Sequence, residues 1–379
     1  MSSFVTTLYP SVELIDSVVF KDINADENIY FSKPFLKAFE IANPQIEFKY
    51  ISIADAYKNT VALALVQVIR LNVEGMLKNI KVAPFVRKGL GLLFCNEHIK
   101  IMFCGNVFLS GEHGISASKN ASKKDVYSEI GTALDAVAAN TNPMHAIFIK
   151  DFKLASLANT KQFLDFGYSE IKVEPNMIIQ LKPEWKNFED YKNILKSKYR
   201  VKANKADSKS SSLETRLFCD EDFETYKHEL QALYQNTIDK ASFNAQVLNL
   251  DTYSHLSRAL KENFIVKGYF LENRLIGFLT ALVNDNKLDA HFIGLDYELN
   301  KSHAIYPRIL NDYVRIGIQK QVSSINLGRT ASEIKTTIGA SPLELSCYIK
   351  HKNPFLNSLV KPFFRRIRIK GFKQHSPFK

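Results

Sequence analysis

Two polar residues of one apolar segment, Asp289 and His291, have the spacing of a general base and of the group that orients it. The segment Asp289-Ala290-His291-Phe292-Ile293 is predicted to be a strand, on which residues two apart share a face. A carboxylate beside an imidazole orients the ring and raises its pKa, so this pair could remove a proton from a substrate. The alternative is a partly buried structural histidine.

A second group of polar residues follows the predicted strand 324–327. Gly328 and Arg329 come directly after this strand, at the carboxyl end where open α/β sheets bind ligands. Arg329 presents a planar donor fork that suits a carboxylate or a phosphate. It could instead form a salt bridge between elements. Asn326, Gly328, Arg329 and Asp289 are therefore predicted to bind substrate or cofactor.

Glu333, Lys335 and Tyr306 complete the candidate site. Glu333 and Lys335 stand two positions apart on a short predicted helix, so at most one of them faces the site. Glu333 is the catalytic candidate and Lys335 the binding candidate. Tyr306 could protonate a leaving group, although buried tyrosines more often serve packing.

The first half of the chain offers one polar pair between glycines, in Gly111-Glu112-His113-Gly114. Its spacing differs from that of metal motifs such as His-Glu-x-x-His, so no metal site is predicted. A tight turn after an edge strand is the preferred interpretation. Residues 88–91 hold a lone Gly-x-Gly, which supports dinucleotide binding poorly.

The elements that must position these residues are best defined between residues 264 and 348. Short apolar runs rich in β-branched and aromatic residues predict strands at 264–270, 275–283 and 288–294, with turn residues between them. A helix over 304–318 has apolar residues at helical spacing, with Pro307 in its first turn. The strand at 324–327, a short helix and a last strand complete the order.

The first half repeats this order more weakly. Its predicted elements are strands at 60–71 and 99–109, a helix at 125–139, a strand at 145–149, a helix at 157–166 and a strand at 176–181. Two copies at a period near 190 residues predict two α/β domains, each with a mostly antiparallel mixed sheet flanked by helices. The predicted domains are 1–183 and 184–349, and 350–379 form a basic tail.

The segment Asn326-Leu327-Gly328-Arg329-Thr330-Ala331-Ser332-Glu333-Ile334-Lys335, followed by Gly339-Ala340, resembles the GNAT-like acyltransferase domains of Fem-type peptidyltransferases and of polysaccharide-biosynthesis proteins. The basic segment 198–206 resembles the helix that opens the second Fem-type domain. The resemblance covers both halves loosely and the last 190 or so residues best. It implies tandem GNAT-like domains, in which a separated pair of parallel strands admits an acyl-thioester.

The resemblance further implies an N-acyltransferase that moves an acyl group from coenzyme A or a carrier protein to a small-molecule amine. In that superfamily, backbone amides after the fourth strand hold the pyrophosphate of coenzyme A; the corresponding turn here, 296–303, contains no glycine and two acids. Two alternatives stay open: a Fem-like transferase that uses aminoacyl-tRNA, and a non-catalytic binding module. No metal is expected.

Length and composition set outer limits. A chain of 379 residues with 46% hydrophobic residues suffices for two cores. Its four cysteines form no Cys-x-x-Cys pair, which is typical of a reducing compartment. No apolar run approaches the roughly 18 residues of a membrane span. A cytoplasmic protein is expected.

The basic character is concentrated at the C-terminus. Residues 350–379 hold nine basic residues and no acid, and without them the net charge of +11 falls to +2. Aromatic and aliphatic residues alternate with arginines at 361–370, a pattern that could bind an anionic membrane surface, such as the inner face of a cell membrane, or tRNA. This pattern weakly favours a cell-envelope or lipid precursor as the acceptor. No DNA partner is expected. The alternative is a solvated or packed segment.

Overall fold

The computed structural model describes residues 4–72, 98–241, 244–364, 369 and 371–379. Its strands, in chain order, are β1 (Val5–Tyr9), β2 (Glu47–Ala54), β3 (Thr60–Asn72), β4 (His98–Cys104), β5 (Ile115–Ala117), β6 (Ala146–Lys153), β7 (Ser169–Gln180), β8 (Glu214–Leu217), β9 (Phe264–Leu271), β10 (Arg274–Asn284), β11 (Lys287–Leu295), β12 (Ser324–Asn326) and β13 (Ser341–His351). The chain forms two compact units, and each is discontinuous in sequence.

The first unit comprises residues 1–173, 242–248 and 344–369. Its strands are paired in the order β1-β2-β3-β4-β6-β13, with β5 added to β3. Every pair is antiparallel except β4 with β6, which run parallel from Ile101↔Ala146 to Cys104↔Ile149. Its helices are Ser17–Asp22, Lys33–Ala42, Lys123–Ala139, Leu157–Thr160, Gln162–Asp165 and Pro354–Phe364.

The second unit comprises residues 174–241, 249–343 and 370–379. Its strands are paired in the order β7-β12-β11-β10-β9-β8, and β11 with β12 is the parallel pair. The predicted mostly antiparallel mixed sheet with flanking helices is thus confirmed in both units. Its helices are Phe188–Asn193, Ser197–Lys209, Asp220–Thr225, Lys227–Lys240, Asp251–Leu260, Tyr297–His303, Ile305–Gln319 and Ser332–Thr336.

The helix Ile305–Gln319 covers the core of the second unit. Its buried residues Ile305, Ile309, Tyr313 and Ile316 recur every three or four positions, so one face packs on the sheet. The hydroxyl of Tyr313 donates to the carbonyl of Thr280 on β10 (3.0 Å). This helix therefore anchors the sheet from which the candidate site is built.

A buried cluster of charges, the Asp312 cluster, also holds this helix. The carboxylate of Asp312, fully buried, accepts from Lys267 Nζ (2.9 Å) and from the hydroxyl of Tyr269 (2.9 Å) on β9. Arg308 Nε (3.1 Å) and an Arg315 guanidinium nitrogen (2.6 Å) donate to its other oxygen. Burial alone would raise the pKa of Asp312, but the surrounding cations outweigh burial and lower it.

Several predicted boundaries in the first half differ from the observed ones. The strand predicted at 99–109 ends at Cys104, because Gly105 turns the chain with a φ of 128°, where a Cβ would press on Lys150. The helix predicted at 157–166 is divided at Lys161 into two short helices, and the hydroxyl of Thr160, the last residue of the first, forms a hydrogen bond with that of Tyr348 (2.9 Å). The strand predicted at 176–181 begins earlier, at Ser169, in a stretch with alternating polar residues.

The chain passes from one unit to the other inside β7 and again inside β13. The predicted boundaries at residues 183 and 349 give continuous pieces instead, because these long strands carry no turn or composition signal at the crossing. Continuous pieces cannot describe units that each contain separate segments.

Part of the predicted basic tail packs within the second unit. Phe378 contacts Trp185 and Tyr191, and Lys196 N donates to the Pro377 carbonyl (2.8 Å). Arg365, Arg366, Arg368 and Lys370 lie outside the described residues, so membrane or RNA contact through them stays a prediction. In the part of the chain that the structure describes, no helix combines the length and apolarity needed to cross a membrane.

Candidate functional site

The candidate site lies in the second unit, where the parallel strands β11 and β12 separate. They pair at three positions, the last being Asp289 opposite Asn326. Beyond this point the chain after β12 follows β7, since Leu327 N donates to the Met177 carbonyl (2.8 Å) and Met177 N to that of Gly328 (3.1 Å). Strand β11 meanwhile continues with β10 as far as Leu295. A gap therefore opens between the two parallel strands.

Asn326 joins the strands at the point of separation. Its side-chain Nδ2 donates to Asp289 Oδ1 (2.8 Å), and its Oδ1 accepts from Gly328 N (2.9 Å). Gly328 has a φ of 69° and opens a turn in which Thr330 and Ala331 also have positive φ values. The side chain of Asn326 thus fixes both the end of β12 and the turn that carries Arg329.

The side chain of Lys335 stabilises this turn through hydrogen bonds to its backbone. Only 5% of the residue is exposed, and its Nζ donates to the backbone carbonyls of Leu327 (2.6 Å), Gly328 (3.4 Å) and Arg329 (2.6 Å). Burial lowers the pKa of Lys335 to about 7, and the charge of Glu174 opposes that shift. Lys335, predicted to bind a ligand, donates its hydrogen bonds to the backbone of the turn that carries Arg329.

His291 lies at an irregularity of β11. Leu279 pairs with Ile293 and Ala281 with Ala290, so Thr280 alone faces both His291 and Phe292. Such a bulge interrupts the alternation on which the predicted shared face of Asp289, His291 and Ile293 depended. The centroid of the imidazole ring lies 4.4 Å from that of the Phe292 ring and 6.2 Å from that of the Tyr253 ring.

Glu333 and Tyr306 contact other parts of the second unit. Glu333 is exposed, and its Oε1 lies 3.4 Å from His375 Nε2, whereas its neighbour Lys335 is buried. The opposite directions expected for residues two apart are thus observed. Tyr306 lies in the first turn of Ile305–Gln319, where its backbone N donates to Asn300 Oδ1 (2.9 Å) and burial raises its pKa above the ordinary range.

The turn after β11 differs from a phosphate cradle. Asp296 caps the helix Tyr297–His303, and its Oδ1 accepts from Glu298 N (2.9 Å) and Leu299 N (3.2 Å). Its other carboxylate oxygen is paired with Arg274. Because a carboxylate already occupies these amides, the pyrophosphate contact implied by the resemblance does not fit at this turn.

Asp296→Ala is expected to lower the free energy of unfolding by about 1 kcal/mol, because two amides lose their acceptor. Asp296→Asn keeps an acceptor oxygen but loses the ion pair with Arg274, so it should lose less. Urea unfolding followed by the fluorescence of Trp185, the only tryptophan, measures both. Unchanged stability of the alanine variant would contradict the capping role.

The polar pair of the first unit supports a turn. Glu112 Oε2 accepts from Lys153 N (3.2 Å) and from Ser156 Oγ (2.9 Å), and the ring of His113 lies 4.0 Å from that of Tyr30. Among the described residues, no group of three or more His, Cys, Asp or Glu side chains could hold a metal ion. The Gly-x-Gly at 88–91 lies outside the described residues.

Neither a protein-family model nor a curated protein sequence matches the chain. Solved structures do match it. FemX aligns with a TM-score of 0.57 and 10% identity over 92% of this chain and 99% of that one. A tandem GNAT protein from the clavulanic acid biosynthesis pathway aligns with a TM-score of 0.52 and 7% identity over 93% and 99%. The chain has a tandem GNAT-like fold.

A third match is L-PGS from Bacillus licheniformis, with a TM-score of 0.52 and 9% identity over 93% of this chain and 97% of that one. The predicted resemblance to Fem-type and GNAT-like proteins is confirmed at the level of the fold. At identities of 7–10%, these three matches establish the fold alone, and the chemistry has to be argued from the residues of this chain.

Proposed function

We propose that this chain is an N-acyltransferase whose reaction centre is the gap between β11 and β12. The separation of these strands after Asp289 and Asn326 is the observation that carries the proposal, because it leaves room for an extended acyl donor beside polar groups. In the first unit, β4 and β6 also stop pairing, after Cys104 and Ile149, but the candidate residues His291, Asn326 and Arg329 belong to the strands and the turn at the gap of the second unit. The second unit is therefore the proposed catalytic one.

The polar groups at the gap have distinct proposed roles. Amine acylation needs a base for the amine proton and donors for the developing oxyanion. His291, in the bulge of β11, is the proposed base, and Arg329 is the proposed ligand for an acidic group of donor or acceptor. Asn326 and Lys335 are positioning residues, since their hydrogen bonds go to the turn that carries Arg329.

The acyl donor can be either of two classes. An acyl-thioester of coenzyme A or a carrier protein would have to be held without the amides that Asp296 occupies. An aminoacyl-tRNA would use clustered cations for its phosphates, and the helix Ser197–Lys209 carries them: Lys198, Arg200, Lys202, Lys205 and Lys209. The amides capped by Asp296 disfavour coenzyme A as the donor, and the basic helix favours tRNA. Transfer from an aminoacyl-tRNA is therefore the alternative function.

Thermal unfolding with each donor distinguishes these classes. A ligand at about 100 times its dissociation constant adds about 2.7 kcal/mol to the free energy of unfolding. Acetyl-, palmitoyl- and free coenzyme A are compared with aminoacyl-tRNA over a range of salt concentrations. Stabilisation by a thioester supports the first class, and binding of tRNA with a steep salt dependence supports the second. Stabilisation by none, together with no transfer of a labelled acyl group, would refute the proposed function.

Arg329→Ala is expected to lower kcat/KM by about tenfold to hundredfold, since a charge-assisted hydrogen bond contributes about 1.5–3 kcal/mol. Arg329→Lys keeps the charge without the fork and should fall between wild type and alanine. Arg258→Ala, which removes an exposed arginine of the helix Asp251–Leu260, is the matched control. An active, folded Arg329→Ala variant would remove Arg329 from the site.

A further inference from the structure

A basic groove runs along the second unit, on the outer side of the helix Ser332–Thr336. Its cavity volume is about 440 Å³, within the range of small-molecule sites. One wall is the helix Ser197–Lys209, and the opposite wall is built by residues around the start of Ile305–Gln319. A smaller cavity of about 330 Å³, lined by Glu333 and His375 among others, shares Lys202 with it.

The floor of the basic groove is apolar because small residues stand where the helices approach each other. Ala203 and Ala206 lie on one face of Ser197–Lys209, four and seven positions after Tyr199. Leu310, Ile334 and Ile338 line the other side. Small side chains on one helix opposite branched ones on the next leave an open apolar channel.

The rim of the basic groove is positively charged. Lys202, Lys205, Lys209 and Lys301 line it, and no acid is among the residues that line this cavity. Within the described part of the chain, none of these four lysines forms an ion pair, although Lys209 Nζ donates to the Lys301 carbonyl (3.0 Å). Asp207 of the same helix is paired with Arg315 (2.6 Å) instead. The four ammonium groups therefore stay available for an anion.

From this combination we infer that the basic groove binds an anionic amphiphile, namely a single acyl chain with a phosphate head. The chain lies on the apolar floor, and the phosphate lies among the lysines, which suit it as compact point charges. Both halves of the ligand are needed, because desolvating the floor supplies affinity and the phosphate supplies selectivity.

The lining favours this ligand over single-stranded nucleic acid. Nucleic-acid grooves combine basic residues with aromatic platforms on which successive bases stack. Among the described residues that line the basic groove, Tyr199 is the only aromatic one, and the floor residues Ala203, Ala206, Leu310, Ile334 and Ile338 are aliphatic. An aliphatic floor matches an acyl chain instead.

The basic groove is separate from the proposed reaction centre. Lys335 points inward to the turn 327–329, whereas Ile334, Thr337 and Ile338, its neighbours in sequence, line the groove. The inference therefore does not depend on acyl transfer, and a binding measurement tests it without turnover.

Calorimetric titration of the full chain with palmitoyl lysophosphatidic acid, below its micelle concentration, tests the inference. We expect saturable binding, at least about tenfold weaker for the uncharged monopalmitoylglycerol and at least about a hundredfold weaker for glycerol 3-phosphate, which lacks the chain. Tight binding of glycerol 3-phosphate would show a plain phosphate site. Binding of a short single-stranded RNA without binding of the lipid would show a nucleic-acid site. Either result would overturn the inference.

Matched variants locate the binding. Lys205→Glu with Lys301→Glu should weaken lipid binding by at least about tenfold, because each change replaces an attraction by a repulsion. Lys261→Glu with Lys287→Glu changes the net charge equally at exposed positions outside the groove, and should stay within about twofold of wild type. Equal losses in both variants would mean binding to the overall charge and would reject the groove.

Chemical acetylation of the wild-type protein gives a readout that requires no mutation. Bound lipid should protect Lys205 and Lys301 from an acetylating reagent and leave Lys261, an exposed lysine outside the groove, reactive. Mass spectrometry of the digested chain compares the three sites. Protection of all three lysines or of none, at saturating lipid, would contradict a ligand in the basic groove.

Discussion

Wild-type protein is expected to gain about 2.5 kcal/mol in free energy of unfolding between about pH 7.5 and 9.5, relative to a Lys335→Met variant. The reason is the burial that lowers the pKa of Lys335 to about 7 from its ordinary 10.5. Above pH 7 the folded protein releases a proton that the unfolded chain still binds. Stability therefore rises with pH throughout this window, and the contribution levels off below pH 7.

The window ends near pH 9.5 because the lysine of the unfolded chain then approaches its ordinary pKa of 10.5 and begins to release its own proton; buried tyrosines, which wild type and variant share, act in the opposite direction on both proteins. Burial raises the pKa of Tyr253 and Tyr269 well above their ordinary value of 10. Once the unfolded chain ionises its tyrosines, the folded state loses stability as the pH rises further. A comparison restricted to the lower range isolates the lysine.

Urea unfolding at a series of pH values, followed by Trp185 in the core of the second unit, measures the difference. Methionine keeps the length of the side chain and removes the charge. Lys198→Met makes the same change at an exposed position and is the control. Parallel pH profiles of wild type and Lys335→Met would show that burial does not shift this lysine.

Replacing Asp312 by alanine is expected to lower the free energy of unfolding by about 3–5 kcal/mol. The change leaves Lys267, Arg308 and Arg315 mutually repelling in a largely buried place, and Tyr269 without its acceptor. Among the described residues, Asp207 is then the one carboxylate that remains paired with the two arginines. Asp312→Asn keeps a partner for Tyr269 and should lose less.

A second change tests the cause of this loss. Adding Lys267→Met to Asp312→Ala removes one of the stranded cations, so the double variant should be more stable than the sum of the single losses predicts. Asp239→Ala, at an exposed position of Lys227–Lys240, should change the free energy of unfolding by no more than about 0.5 kcal/mol. Additive losses would show that the cations act independently of Asp312.

The strands and turns around the site could be predicted from sequence because local chemistry specifies them. Strands predicted at 264–270, 275–283 and 288–294 are observed as Phe264–Leu271, Arg274–Asn284 and Lys287–Leu295. The turn between the first two, at Glu272 and Asn273, has positive φ values at both residues. In the first unit, by contrast, β1 was not predicted, since its exposed residues lack a clear pattern.

The site itself could be predicted only in part. Asn326, Gly328 and Arg329 lie at the predicted end of a strand, because that position follows from the order of elements. The burial of Lys335 depends on three carbonyls of another segment, and the bulge at His291 on pairing with β10; neither is encoded locally. The sequence does indicate the role of Asp296, because an acid directly before a helix is typical of an N-cap. A comparison with glycine-rich phosphate-binding turns does not include this pattern.

One wall of the basic groove could also be predicted from the sequence. Tyr199, Lys202, Ala203, Ala206 and Lys209 recur at intervals of three and four, which places small and basic residues on one helix face. What the sequence could not reveal is the aliphatic wall opposite, which comes from residues more than a hundred positions away.

The crossing of the chain inside β7 and β13 also governs the order in which the protein can fold during synthesis. Strand β6 receives its partner residues, Leu345–His351, only after most of the second unit has been translated. At about 5–20 residues per second, the ribosome needs about 10–40 s for the stretch of about 200 residues between them. Throughout that interval one edge of β6 lacks its native neighbour, and exposed strand edges recruit other chains. The nascent protein is therefore most prone to aggregation while its second half is being made, and chaperone binding should concentrate in that interval.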